Sequence, residues 1–168
     1  MDGHPLQEST ETARDTLMAL ERLKAAVVDG RAESIRHRQS QLQSLHQALA
    51  NNADRICNDL LSSTSPQPPP LGMKHDSVTE RKKSEVETEF FLAMDAVRHF
   101  YDSLPTMDTY LFHENRIATG GENPYRRVGV GMVVIRPGEH TRFCSVVSPL
   151  AAALTAGNCV VVELTVST

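Results

Sequence analysis

The chain has 168 residues, of which 40% are hydrophobic and 23% charged, a length and balance typical of one globular domain. A net charge of −4 offers no basic surface to phosphates, and an aromatic content of 5% without tryptophan provides no stacking platform for bases or sugars. We therefore predict one folded region over residues 1–168 that binds no nucleic acid.

Three amphipathic helices are predicted at the start of the chain. The first covers residues 12–31, where leucines recur at helical spacing and Gly30 is a stop signal. The second and third cover residues 33–52 and 52–63. Each has one apolar face, so we expect all three helices to pack on a larger folded unit.

A proline-rich segment separates these helices from a longer one. Its four prolines lack backbone donors, so a loop is predicted over residues 62–76. A helix over residues 77–104 follows, with Ser77 or Thr79 as N-cap. Its buried stripe is predicted to be Val86, Phe90, Ala93 or Met94, Val97, and Phe100 or Tyr101. Loops or short edge strands are predicted over residues 105–124, where short β-prone pieces alternate with Gly and Pro turns.

The hydrophobic period changes in the last part of the chain. Residues 127–135 form a near-continuous apolar run, which predicts a strand buried on both faces of a parallel sheet. An alanine-rich helix through Ala156 follows. Ser148–Pro149 is either its cap and first residue or a kink inside a helix that begins near Thr141.

A second strand completes this unit. Gly157 is a stop signal for the helix, and residues 158–164 are predicted to form another buried strand. The predicted fold class is therefore α/β, with N-terminal amphipathic helices packed on an incomplete parallel sheet. The βαβ unit of that sheet is predicted over residues 125–168.

The same stretch carries a family resemblance. The run "PYRRVGVGMVVIRPGEHTRFCSVVSPLAAALTAGNCVVVEL" resembles the N-terminal, cofactor-binding part of the aldehyde dehydrogenase superfamily. Its most specific part is Ser148–Val161, and the preceding helices agree in order. The resemblance implies a Rossmann-like sheet. In the family, NAD(P) accepts hydride as an aldehyde becomes a carboxylic acid, through a cysteine thiolate and a glutamate-activated water.

The departures from the family pattern fall at positions with a chemical role. His140 stands where the family has an oxyanion-binding asparagine. Glu163 and Val166 stand where a lysine and a glutamate help to hold the cofactor ribose. The family's catalytic cysteine and glutamate would lie beyond residue 168. The resemblance thus implies a truncated relative with no catalytic residue that is inactive alone, or else one piece of a split enzyme or a gene fragment. We expect this chain to bind neither NAD nor NADP.

The cysteines and histidines provide no strong alternative chemistry. Cys57, Cys144 and Cys159 are an odd number without metal-ligand spacing, which is typical of a reducing, cytoplasmic location. The seven histidines also show no metal spacing. Cys159 is interpreted as a small hydrophobic residue of a strand. On a helix, the four-residue spacing of His140 and Cys144 would bring an imidazole and a thiol onto one face, as in a nucleophile–base pair.

The other predicted role is binding without catalysis. An apolar sheet edge near Cys159–Leu164 would recruit another protein or a second copy of the chain. A membrane span over Val146–Val166 is not predicted, because Gly157-Asn158 interrupts it and its first half is mostly weakly apolar alanine.

Overall fold

The α/β class is confirmed: the chain is mainly helical and contains a small parallel sheet. The computed structural model describes residues 5–63, 75–121, 128–138 and 141–163. Its elements are α1 (Pro5–Val28), α2 (Ile35–Asn51), α3 (Ala53–Ser63), α4 (His75–Asp102), α5 (Met107–Ala118), β1 (Met132–Ile135), α6 (Arg142–Thr155) and β2 (Cys159–Val162).

The predicted order strand, helix, strand is confirmed at the end of the described chain. β1 and β2 pair in parallel, with Met132 beside Cys159 and Ile135 beside Val162. Because parallel neighbours need a crossover connection, α6 links the two strands, and it contacts both. Gly157 ends this helix with a φ of 81°, as its stop signal predicts.

The helices form a layer centred on α4 and α6. These two helices pack most extensively on each other, while α2 contacts both and α3 lies against α4. The core is an apolar cluster from three helices: Leu42, Ala93, Val97, Val147 and Ala151. The prediction that N-terminal helices pack on the sheet holds for α1, which contacts both strands. α2 and α3 instead pack mainly on other helices: α2 on α4 and α6, and α3 on α4.

The structure decides between the alternatives predicted at two positions in the buried stripe of α4. Ala93 is buried and Phe100 packs against the core cluster, whereas Tyr101 is exposed. The helix begins at His75, two residues before the predicted N-cap Ser77. The predicted loop over residues 62–76 is therefore wrong at its ends, which belong to α3 and α4, and its interior lies outside the described residues.

A helix replaces the loops or edge strands predicted over residues 105–124. α5 occupies Met107–Ala118 despite its β-prone residues. The Thr106 hydroxyl accepts a hydrogen bond from the Thr109 N–H at 3.4 Å, a capping contact at the first turn. Met107, Tyr110 and Leu111 then recur at helical spacing. The capping contact and the helical spacing of the apolar residues outweigh the preference of individual residues for β structure in this segment.

The first strand is shorter and more exposed than predicted. β1 covers four residues, and Gly131 before it has a φ of 105°, which lies outside the extended region. Val134 is 61% exposed and Val130 is 85% exposed, so the expected burial on both faces is wrong. Among the described residues, β1 has one neighbouring strand and too little covering structure to bury both faces.

Of the two alternatives for Ser148–Pro149, the structure shows the one in which they lie inside a helix that begins near Thr141. α6 begins at Arg142 and contains Pro149 in its interior, after Thr141 with a left-handed φ of 49°. Pro149 lacks the N–H that would bond the carbonyl four residues earlier. Packing of Val147 and Ala151 in the core offsets that loss.

Candidate functional site

The carboxyl ends of the two parallel strands lie side by side and carry opposite charges. In open α/β sheets, ligands bind outside this edge. Arg136 follows β1 and Glu163 follows β2; the Arg136 Nε and Nη2 atoms donate to Glu163 Oε2 at 3.0 and 2.8 Å. The side chains are 73% and 45% exposed, so the pair adds little to stability. The pair matters for the chemistry of this edge, because Arg136 of the same chain already binds the Glu163 carboxylate.

The N-terminus of α6 is occupied by a carboxylate from another helix. Glu89 of α4 accepts hydrogen bonds at Oε1 from the backbone N–H groups of Phe143 and Cys144, at 3.0 and 3.1 Å. These N–H groups have no partner within the helix and carry its positive partial charge. Beside this contact, the rings of Phe90 and Phe143 stack with centroids 5.8 Å apart. The chain's own Glu89 thus takes the place at which helix N-termini often bind anionic ligands.

The C-terminus of α6 is held by a buried cation. Arg38 of α2 donates from Nη1 to the Thr155 carbonyl at 3.3 Å and from Nε to the Ala32 carbonyl at 3.4 Å. Burial lowers the pKa of its guanidinium, while Tyr110 and Glu33 act in the opposite direction. The charges at the two ends of α6 therefore complement the helix dipole: Glu89 at the start and Arg38 at the end.

Glycines and an asparagine join α6 to the strands. A Cβ on Gly129 would lie 2.5 Å from the Gly157 carbonyl oxygen, and one on Gly157 would lie 2.8 Å from the Arg38 guanidinium. Asn158 is buried; its Oδ1 accepts from the Gly131 N–H at 3.1 Å and its Nδ2 donates to the Ala153 carbonyl at 3.2 Å. These residues hold the backbone at the end of α6 against the segment before β1, which is a structural role.

Of the predicted site residues, the structure describes Glu163, which lies at the end of β2. His140, the predicted partner of Cys144, and Val166 lie outside the described residues. The His140–Cys144 pair stays a prediction. Cys144 itself is half-buried in the first turn of α6, where its backbone N–H bonds Glu89.

The remaining thiols do not resemble nucleophiles. Cys159 lies in β2, as predicted, but it is half-buried, like the rest of this strand, rather than buried. Burial raises the pKa of the Cys57 thiol, and the nearby Glu87 and Asp54 raise it further; this favours the unreactive protonated form. Among the residues that the structure describes, no three His, Cys, Asp or Glu side chains are grouped to hold a metal ion.

Glu89 and Arg38 were missed by the sequence analysis, although a signal for each was present. Glu89 lies three residues after Val86 and four before Ala93, and Arg38 lies four before Leu42. Both are charges inside an apolar stripe. A charge at such a position must find a partner when the stripe is buried, so it predicts a specific polar contact.

Truncating Glu89 is expected to destabilise the fold. Glu89→Ala should lower the free energy of unfolding by about 2 kcal/mol, because two charge-assisted hydrogen bonds at a helix N-terminus are lost. Glu89→Gln, which keeps an accepting oxygen, should lose roughly half as much. Urea unfolding followed by circular dichroism measures both. Glu87→Ala is the matched control, since Glu87 is exposed on the same helix; equal losses for Glu87→Ala and Glu89→Ala would contradict the capping role.

Comparisons with known proteins add no relative. No protein-family model, curated protein or solved structure matches the chain. No helix in the described ranges combines the length and apolarity needed to cross a membrane. Interpretation of the site therefore depends on its own geometry and on the residues of the resemblance.

Proposed function

We propose that the chain is an aldehyde dehydrogenase-like protein that retains the scaffold of a cofactor domain without a working NAD(P) site. Its place would be in the NAD(P)-dependent aldehyde oxidation family, as a non-catalytic relative. Support comes from the parallel β1–α6–β2 unit, in which the Gly129–Gly157 contact and the Asn158 bonds join the strands to the helix. Those positions lie within the run that carries the resemblance.

The observation that carries this proposal is the Arg136–Glu163 pair. In the resemblance, the position of Glu163 belongs to a lysine that helps to hold the cofactor ribose. Here a carboxylate stands at the sheet edge, and two donors of Arg136 bind its Oε2. A carboxylate cannot donate the hydrogen bonds that the lysine would give to the ribose, and this one already accepts both Arg136 donors. The geometry thus supports a scaffold role over a cofactor-binding role.

Cofactor titration tests the proposal. Calorimetric titration with NAD and NADP should give no binding heat, and incubation with short aliphatic and aromatic aldehydes should produce no reduced cofactor. An active aldehyde dehydrogenase in the same buffers is the positive control. Micromolar affinity for either cofactor would overturn the proposal, and so would aldehyde-dependent absorbance of the reduced nicotinamide.

A second candidate role, binding of a protein through the sheet, is favoured by its apolar exposed surface. Val128, Val130 and Val134 are all more than half exposed, at 55%, 85% and 61%. Exposed apolar residues grouped along one segment are a common basis for association with another chain. A cytoplasmic location fits either role, because Cys57, Cys144 and Cys159 are free thiols.

Solution behaviour tests this second role. Size-exclusion chromatography should show association, and a hydrophobic dye should bind the exposed valines. A monomer that binds no dye would contradict it.

A further inference from the structure

The turn that ends α1 contains an Asp-Gly pair. Asp29 and Gly30 follow the helix directly, and Gly30 has a φ of 64°. The Gly30 N–H donates to the Val27 carbonyl at 3.1 Å, and the Arg31 N–H donates to the Ala26 carbonyl at 3.1 Å. These two bonds form a Schellman motif, in which a glycine with a positive φ closes the end of a helix. The motif therefore holds the backbone on both sides of the Asp-Gly peptide bond in one conformation.

The Asp29 side chain is bound by the residue that follows this pair. Its Oδ2 accepts from Arg31 Nε at 3.0 Å and from Arg31 Nη2 at 2.6 Å. The side chains of Asp29 and Arg31 are 48% and 69% exposed, so water reaches the carboxyl group. While the ion pair is formed, both donors of Arg31 fix the direction in which the carboxyl group points.

An Asp-Gly sequence supports a reaction between the backbone and the side chain. The glycine nitrogen attacks the aspartate Cγ and loses its proton, a C–N bond forms, and one carboxyl oxygen leaves as water. Water then opens the cyclic succinimide at either of its carbonyl carbons, which gives aspartate again or iso-aspartate. One water is released and one is taken up, so the isomerisation needs no other reactant. A glycine favours the attack because it has no Cβ and its backbone adopts many conformations.

We propose that Asp29 is a site of isomerisation through a succinimide, and that the Schellman motif and Arg31 slow this reaction in the folded chain. The Gly30 N–H is bonded to the Val27 carbonyl, so that bond must open before the nitrogen attacks Cγ. The ion pair with Arg31 must open as well, so that the carboxyl group turns toward the nitrogen. Local opening at the end of α1 thus sets the rate.

Isomerisation alters the joint between α1 and the strands. In iso-aspartate the main chain runs through the side-chain carboxyl carbon, which adds one methylene group to the backbone of this turn. α1 contacts both strands, and Val27 Cγ1 lies 3.2 Å from the place that a Cβ on Gly131 would occupy. Because the added atom lies two residues after Val27, the reaction changes the turn next to this contact.

Peptide mapping of the incubated protein tests the site and its protection. The wild-type chain is incubated folded, and unfolded in guanidinium chloride, in buffers made with heavy-oxygen water. Each passage through the succinimide adds a heavy oxygen to the fragment that contains Asp29, and chromatography separates iso-aspartate from aspartate. The unfolded chain should form iso-aspartate at Asp29, and the folded chain should form it several-fold more slowly. If none forms in the unfolded chain, the site is wrong; equal rates in the two states would overturn the protection.

Two variants separate the ion pair from the helix end. Arg31→Ala keeps both backbone bonds of the turn and should raise the rate in the folded chain about two- to fivefold, the range that an exposed ion pair allows. Lys24→Ala is the matched control, since Lys24 binds Glu21 in a comparably exposed pair on the same helix, and it should leave the rate unchanged. Circular dichroism verifies that both variants are folded. Equal rates for the two variants would remove Arg31 from the proposal.

Discussion

Replacing Gly129 with alanine is expected to lower the free energy of unfolding by about 3 kcal/mol, at the upper end for an overpacked site. The added Cβ would lie 2.5 Å from the Gly157 carbonyl oxygen and 2.8 Å from its carbonyl carbon. Both are backbone atoms, which cannot rotate aside. The Gly157 N–H is bound to the Leu154 carbonyl at 3.0 Å, and Asn158 is bonded on both sides of its amide. Relief of the contact must therefore separate β1 from the end of α6.

Gly120→Ala is the control for this effect. A Cβ on Gly120 meets no atom within 4 Å, but its φ of 80° is unfavourable for alanine, at a cost of about 1 kcal/mol. Urea denaturation at equilibrium, followed by circular dichroism, gives both values. The close approach of the two backbones is contradicted if Gly129→Ala loses no more stability than Gly120→Ala.

Truncation of Leu42 is expected to have a comparable effect, a loss of about 3 kcal/mol. Leu42 is fully buried and lies in the cluster with Ala93, Val97 and Val147, so three different helices line the cavity left by the shorter side chain. Thermal and urea unfolding of Leu42→Ala measure the loss. Leu17→Ala is the control, because Leu17 is 62% exposed on α1 and its truncation should cost less than about 0.5 kcal/mol. Similar losses for the two variants would show that α2 does not anchor the core.

The stability predictions and the proposed function concern the same unit. Gly129 and the Glu89 contact hold α6 between the strands and α4, and Leu42 packs under the same helix. These residues maintain a scaffold. They supply packing and backbone contacts, which is what the proposed scaffold role requires.

The elements that the sequence predicted well are those with a strong local period. α2 and α3 agree with their predicted ranges to within two residues, and Gly30 follows α1 with a φ of 64° as a stop signal should. The strand–helix–strand order was also readable, because glycine and proline mark its turns. The prediction was wrong for α5, because its β-prone residues indicated loops or strands although the segment forms a capped helix. It also failed for the burial of β1, which depends on how many strands lie beside it.

The sequence alone therefore determined the fold class, most of the helices and the order of the parallel unit. Hydrophobic period and turn residues act between near neighbours in the chain, and their signals are local. Only the tertiary structure decided that Glu89 binds the start of α6, that Arg38 binds its end, and that Arg136 pairs with Glu163. These contacts join residues 27 to 117 positions apart. Composition and local spacing do not indicate which residues so far apart in the sequence will meet. The partners are brought together by the packing of the helices on one another.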